Sequence, residues 1–222
     1  MVDTIIFDLD GTLLNTLEDL TDSVNYVMER HGLPLHTIEE IRSYVGNGAA
    51  KLIERAIPDG IGNSEYAKIL EEYREHYAQH CEDKAAPYEG VIELLASLKK
   101  SGYHLAIVSN KPDKAVKQLC RRHFIEYVQE AIGESDEVKK KPAPDMVYRA
   151  LASLSSDASR AVYVGDSEVD LQTAANVPMT CISVTWGFRT RDQLLAAGAV
   201  EEKMIRIPHE LLQQLARLGQ AE

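Results

Sequence analysis

Thr4-Ile5-Ile6-Phe7-Asp8-Leu9-Asp10-Gly11-Thr12 places two carboxylates and a glycine turn directly behind a short apolar run. Ile5, Ile6 and Phe7 have the make-up of a strand buried on both faces, as in the middle of a parallel sheet. Ligands of open α/β sheets gather beyond the carboxyl ends of such strands. While the chain stays extended, Asp8 and Asp10 project to the same side, and Gly11-Thr12 then turns it. Two acids thus leave the sheet where chemistry is usually done. A lone Asp-x-Asp is ordinarily a turn and a helix cap. The string Asp-x-Asp-Gly-Thr is more restrictive: at average residue usage, a chance match in a chain of this size is on the order of one in a thousand.

Three further polar sites fall behind strand-like runs. Ser109-Asn110 follows Leu105 to Val108, and the Ser109 hydroxyl with nearby backbone donors can hold a phosphate oxygen, although Ser-Asn is also a common turn. Lys141 ends Lys139-Lys140-Lys141 just before the rigid Pro142-Ala143-Pro144; a lysine run on its own is a solvated face. Gly165-Asp166-Ser167-Glu168-Val169-Asp170 follows Ala161 to Val164. Asp166 and Asp170 lie four apart and share a face if a helix starts there; a cap is the plainer alternative.

The elements that must position these groups form two kinds of segment. From Asn15 to Asp83 the periodicity is helical: Leu17, Leu20, Val24, Val27 and Met28 trace one apolar face, Leu52, Ile53 and Ala56 another, and Tyr66, Ile69, Leu70, Tyr73 and Tyr77 a further stripe. From Tyr88 onward strand and helix alternate, with strands predicted at Leu105 to Val108, Val128 to Ile132, Ala161 to Val164 and Thr180 to Val184. Alternation of this kind predicts a parallel sheet with right-handed crossovers. The expected architecture is therefore α/β, with a Rossmann-like core at 1–14 and 84–222, helices on both faces, and an inserted all-helical domain at 15–83.

Composition agrees with a globular enzyme. The 222 residues are 45% hydrophobic and 27% charged, with a net charge of −11, which argues against nucleic acid or an anionic membrane as the main partner. Cys81, Cys120 and Cys181 are widely spaced and odd in number, which favours a reducing compartment over a disulfide framework. Neither a signal peptide nor a membrane-spanning run is expected, so the expected location is the cytoplasm.

The four polar sites, in this order, resemble the four motifs of the haloacid dehalogenase superfamily, and specifically its phosphatase branch; the likeness covers essentially the whole chain. The helical insertion falls where one class of that family carries its cap domain. The resemblance implies that Asp8 is a nucleophile and Asp10 an acid/base. It implies Mg²⁺ held by Asp8, Asp166 and the backbone carbonyl of Asp10, with Asp170 supporting from behind. Gly11, Thr12, Ser109, Asn110 and Lys141 would surround the phosphate, Lys141 being chosen among the three lysines by the family's Lys-Pro pattern. Where the family usually has aspartate this chain has Asn15, which keeps a capping oxygen and loses the charge. An aspartate nucleophile divides one difficult hydrolysis into two easier steps, and the cations offset charge on the transferring group.

Substrate choice is expected in the insertion. Val45-Gly46-Asn47-Gly48 resembles the cap loop of phosphoglycolate phosphatases, and Arg42, Lys51 and Arg55 are cations near it. The function implied is a magnesium-dependent phosphomonoester hydrolase acting on a small phosphorylated metabolite, 2-phosphoglycolate first, as a monomer or homodimer. Other members of the superfamily remain alternatives: a β-phosphoglucomutase, against which Thr12 speaks, a pyrophosphatase, or a phosphonatase, for which Lys51 would supply the amine. From a different class, a phosphorylation-dependent signalling or binding module also places aspartates, a hydroxyl and a lysine on a parallel sheet.

Overall fold

Ile5, Ile6 and Phe7 are almost wholly shielded from solvent, as a strand covered on both faces requires. They form β1 (Thr4–Phe7). The computed structural model describes residues 2–220. After β1 the chain leaves through β2 (Leu14–Asn15), runs through helices α1 (Leu17–Arg30), α2 (Ile38–Tyr44), α3 (Ala49–Ala56) and α4 (Tyr66–His80), and returns through β3 (Ala86–Pro87), which pairs with β2. There follow α5 (Val91–Lys100), β4 (His104–Pro112), α6 (Asp113–His123), β5 (Glu130–Glu134), α7 (Asp145–Ser153), β6 (Ala161–Gly165), α8 (Glu168–Asn176), β7 (Thr180–Val184), α9 (Arg191–Ala196), β8 (Met204–Ile205) and α10 (Glu210–Gln220). Two compact units result, Met1–Leu14 with Pro87–Glu222, and Asn15–Ala86.

The first unit is a six-stranded sheet in the order β5-β4-β1-β6-β7-β8, with every pairing parallel. The chain moves outward from β1 through β4 to β5, then crosses back to β6 on the other flank of β1. Strand order therefore reverses beside β1, the place where ligand crevices open in such sheets. Ile6, Ala106, Val108 and Tyr163 point to one face and pack with Met146, Val147 and Ala150 of α7 and Ala174 of α8. Ile5, Phe7, Leu105 and Ile107 are equally buried on the other, and α6 packs on β4 and β5. The edge strand β8, with two residues, is too short to show a period in the sequence.

Within the second unit the expected apolar faces are inside: Leu17, Leu20, Val24, Val27 and Met28 of α1, Leu52, Ile53 and Ala56 of α3, and Ile69, Leu70, Tyr73 and Tyr77 of α4. Tyr66 is half-buried and donates its hydroxyl to the Ala50 carbonyl at 2.9 Å. The buried Asp19 carboxylate accepts from the backbone N–H groups of Lys84 and Ala85, both at 2.9 Å, tying α1 to the returning chain. Asn15 Oδ1 accepts from the Leu17 N–H at 3.3 Å, so the amide does keep the capping oxygen. Among the described residues no helix is long and apolar enough to cross a membrane.

Candidate active site

Asp8 is the first residue after β1, and its N–H still donates to Val164 of β6, which holds the side chain at the sheet's carboxyl edge. Gly11, at φ +86°, then turns the chain; the N–H groups of Leu13 and Leu14 return to the Leu9 carbonyl at 3.0 Å. A carboxylate oxygen each from Asp8, Asp166 and Asp170 lies within 4.8 Å of the others, and all three residues are buried. The i,i+4 helical face does not bring Asp166 and Asp170 together. Helix α8 starts at Glu168 and is capped by Ser167, so Asp166 stands outside it on the loop. Asp170 sits at the third helical position with Oδ2 receiving the Ser167 hydroxyl at 2.6 Å and the Ser167 N–H at 3.1 Å, a capping box with aspartate in place of glutamate.

Lys141 enters this carboxylate cluster. Its Nζ is 2.7 Å from Asp8 Oδ1, 2.8 Å from Asp170 Oδ1 and 3.1 Å from the Tyr163 hydroxyl oxygen, while Lys139 is exposed and Lys140 half-exposed. The Asn110 amide fixes its backbone, accepting from the Lys141 N–H at 2.7 Å and donating to the Lys141 carbonyl at 2.9 Å. Burial works against the lysine's charge, but Asp170 and Asp8 outweigh it and raise its pKa. Burial, then the Asp170 charge, pushes Asp8 well above the usual carboxylate range against the pull of Lys141. The same two causes push Asp166 up to about 7, opposed by the N–H of Phe188. Tyr163, raised by burial and by the Asp170 and Asp8 charges, stays a donor and gives its proton to Asp170 Oδ1 at 2.9 Å.

Asp10 points elsewhere. Ser109 Oγ donates to its Oδ2 at 3.4 Å, and Lys111 Nζ lies 3.0 Å from its Oδ1. Lys111 is buried to 6% exposure, and nothing in its local sequence sets it apart from an ordinary lysine. The β7–α9 loop likewise carries no motif in the sequence. Phe188 N–H donates to Asp166 Oδ2 at 2.6 Å, and Trp186 Nε1 donates to the Thr12 carbonyl at 3.0 Å. Thr12 itself offers its hydroxyl to Asp166 Oδ1 at 3.5 Å. A Cβ on Gly187 would collide with the Asp166 side chain and the Gly11 carbonyl. The loop thus clamps Asp166 against the Gly11 turn only because residue 187 has no side chain. Gly187→Ala is expected to displace the Asp166 carboxylate and lower activity on the order of 100-fold, the usual cost of an ångström of misplacement, with a fold unchanged by circular dichroism.

In the second unit Gly46 and Gly48 take φ of +115° and +85° on either side of Asn47. The nearby cations are paired at home: Arg42 Nε with Glu39 at 3.0 Å, Lys51 Nζ with Glu54 at 2.5 Å, and Arg55 Nη1 with the Tyr44 carbonyl at 2.6 Å.

The donor set suits a hard divalent cation. Magnesium is bound through oxygens, commonly of one or two carboxylates, and Asp8 and Asp166, whose pKa values burial and the Asp170 charge raise, are in the setting in which a bound cation lets carboxylates stay ionised.

The model of the haloacid dehalogenase-like hydrolases matches residues 5–184. A phosphoglycolate phosphatase of Mesorhizobium japonicum is 33% identical over 195 residues, covering 84% of each chain. An N-acetylmuramic acid 6-phosphate phosphatase of Pseudomonas aeruginosa is 27% identical over 96% of this chain and 94% of its own. A solved structure from Lactobacillus delbrueckii subsp. bulgaricus, named for phosphoglycolate phosphatase, superposes with a TM-score of 0.90 at 35% identity, covering 94% of this chain and 96% of that one.

Proposed function

The chain belongs to the haloacid dehalogenase-like hydrolases, and from that premise we propose that it is a magnesium-dependent phosphomonoester hydrolase working through an aspartyl phosphate on Asp8. One observation carries this: Asp8, Asp166 and Asp170 converge within 4.8 Å at the carboxyl edge of the sheet, with the Lys141 ammonium among them. Asp8 and Asp166, with the backbone carbonyl of Asp10, would hold Mg²⁺, and Asp170 would support them. When bound, the ion offsets negative charge on the transferring phosphoryl group.

Asp8 attacks phosphorus and the ester oxygen leaves. Asp10, held apart from the nucleophile by Lys111 and Ser109 and 21% exposed to solvent, enters the step carrying a proton, gives it to that oxygen, and regains one from the water that cleaves the aspartyl phosphate, a contribution of about 100-fold to 10,000-fold. Lys141 supplies positive charge for the phosphoryl oxygens, and Tyr163 and Asn110 keep it in place. The substrate proposed is a small organic acid phosphate, 2-phosphoglycolate first. Supporting this are the relatives' names, both of which denote phosphate esters of acids, and the Val45-Gly46-Asn47-Gly48 loop with Arg42 and Lys51 in the inserted unit.

The test is phosphate release from a panel of small monoesters and pyrophosphate, with magnesium and with EDTA. Release should require the metal and be fastest with 2-phosphoglycolate. Faster release from a sugar-acid phosphate would move the substrate and keep the mechanism; EDTA-resistant release would reject the metal's part in it.

A further inference from the structure

On the premise of the phosphohydrolase function above, we propose that Lys111 is a positioning residue for the first chemical step, holding the Asp10 carboxyl group in the orientation from which, once it carries a proton, it protonates the leaving oxygen. The local fold creates the arrangement. β4 pairs with β5 at Val108 opposite Ile132 and again at Pro112 opposite Glu134, so four steps along β4 face only two along β5. The surplus backbone bulges at Ser109, Asn110 and Lys111, and bulges beside a site re-aim the side chains they carry.

Alternation then divides those side chains. Asn110 turns to the Lys141 backbone, while Ser109 and Lys111 both reach Asp10. The Lys111 N–H also donates to Ser109 Oγ at 3.2 Å. Asp10 is thereby held at both oxygens from one short stretch, Oδ2 by the Ser109 hydroxyl and Oδ1 by the Lys111 ammonium.

The energetics run in the same direction. An ammonium as buried as that of Lys111 is costly unless paired, whereas the Asp10 side chain is 21% exposed and sits on a turn. The lysine is the fixed member and the carboxylate the member that is fixed. Proton transfer needs the acid within hydrogen-bond reach of the departing oxygen, so a carboxylate free to rotate off the turn loses alignment. The two buried lysines divide the work: Lys141 meets Asp8 and Asp170, and Lys111 meets Asp10.

The experiment compares kcat/KM for an alkyl monoester, 2-phosphoglycolate, with that for p-nitrophenyl phosphate, using wild type, Lys111→Met and Lys111→Arg in saturating magnesium. This ratio includes steps only through phosphoryl transfer to Asp8, so hydrolysis of the aspartyl phosphate does not enter it. The alkyl leaving group needs a proton and the nitrophenolate does not. Lys111→Met should lose about 100-fold on the alkyl ester and less than about 5-fold on the aryl ester, a loss typical of misplacing a catalytic group; Lys111→Arg should recover the alkyl ester to within about 10-fold of wild type. Equal losses on the two esters would overturn the inference while leaving the phosphohydrolase function standing. Wild type inactive on both would overturn the function, and the inference with it. If Lys111→Met does not fold, Lys111→Gln, which keeps one hydrogen bond to Asp10, is read by the same ratio.

Discussion

Asp8→Asn is expected to abolish phosphate release and, in metal-free buffer, to raise the thermal midpoint. Asparagine has the shape of the native side chain and keeps a carbonyl oxygen for Lys141 Nζ, now 2.7 Å from Asp8 Oδ1. It cannot form the acyl phosphate, so the loss in kcat should be on the order of 10,000-fold or more, as for other removed nucleophiles. Turnover above roughly a thousandth of wild type would take the nucleophile's role away from Asp8. The stability change follows from the electrostatics. Burial and the Asp170 charge raise the folded-state pKa of Asp8 above its unfolded value, so the folded protein favours the neutral form. That preference stabilises the fold below the unfolded pKa and is lost as pH rises through the folded one. Asp166, pushed up to about 7, behaves alike. In EDTA the wild-type midpoint should therefore fall between about pH 4 and pH 7, and the Asp8→Asn midpoint should fall less. A gain in stability on losing activity is the mark of a site strained for its chemistry; a midpoint that drops in the variant would contradict this account.

How much of this was legible in the sequence depended on whether a residue's role is set locally. Asp8, Ser109 and Asp166 are legible because each stands behind an apolar run that reads as a strand by itself, Lys141 stands out only through the Lys-Pro pattern of the resemblance, and the strand expected at Thr180 to Val184 has the bounds of β7. Lys111 was hidden by a bulge, a property of the β4–β5 pairing and not of either strand alone. Tyr163 reads as one more apolar strand residue; only the fold brings its hydroxyl to Asp170, seven residues on, and to Lys141, twenty-two back. Trp186, Gly187 and Phe188 gather around Asp166 and the Gly11–Thr12 turn from the far end of the chain, and a lone glycine in a loop carries no sign of the carboxylate packed against it. The spacing of Asp166 and Asp170 was informative for a different reason from the one it suggested: Asp170 caps its helix from inside while Asp166 stays on the loop. Polar residues at strand ends announce a site, but the groups that orient them are set by packing between distant segments.

Lys141→Met should be the most damaging change to stability in the core, and magnesium should partly repair it. The ammonium lies within 2.8 Å of carboxylate oxygens of both Asp8 and Asp170, and its side chain is 2% exposed. Methionine fills the volume and leaves two buried carboxylates without their lysine, a loss of about 3–5 kcal/mol for a broken buried pair. In EDTA the midpoint should fall by roughly 6–20 °C for a chain of this size. Lys140→Met is the control: Lys140 Nζ is 3.8 Å from Glu134 across a half-exposed surface, where an ion pair contributes about 0–1 kcal/mol. Activity of Lys141→Met should fall on the order of 100-fold to 1,000-fold, the cost of removing one charge-stabilising group. The informative measurement is the magnesium-induced rise in midpoint. If the cation and Lys141 neutralise the same carboxylates, each does more when the other is missing, so magnesium should raise the variant's midpoint by more degrees than the wild type's. Equal rises would mean that the ion binds away from Asp8 and Asp170. No rise in either protein would leave the three-carboxylate cluster without a metal, and the phosphoryl group with Lys141 as its main source of positive charge.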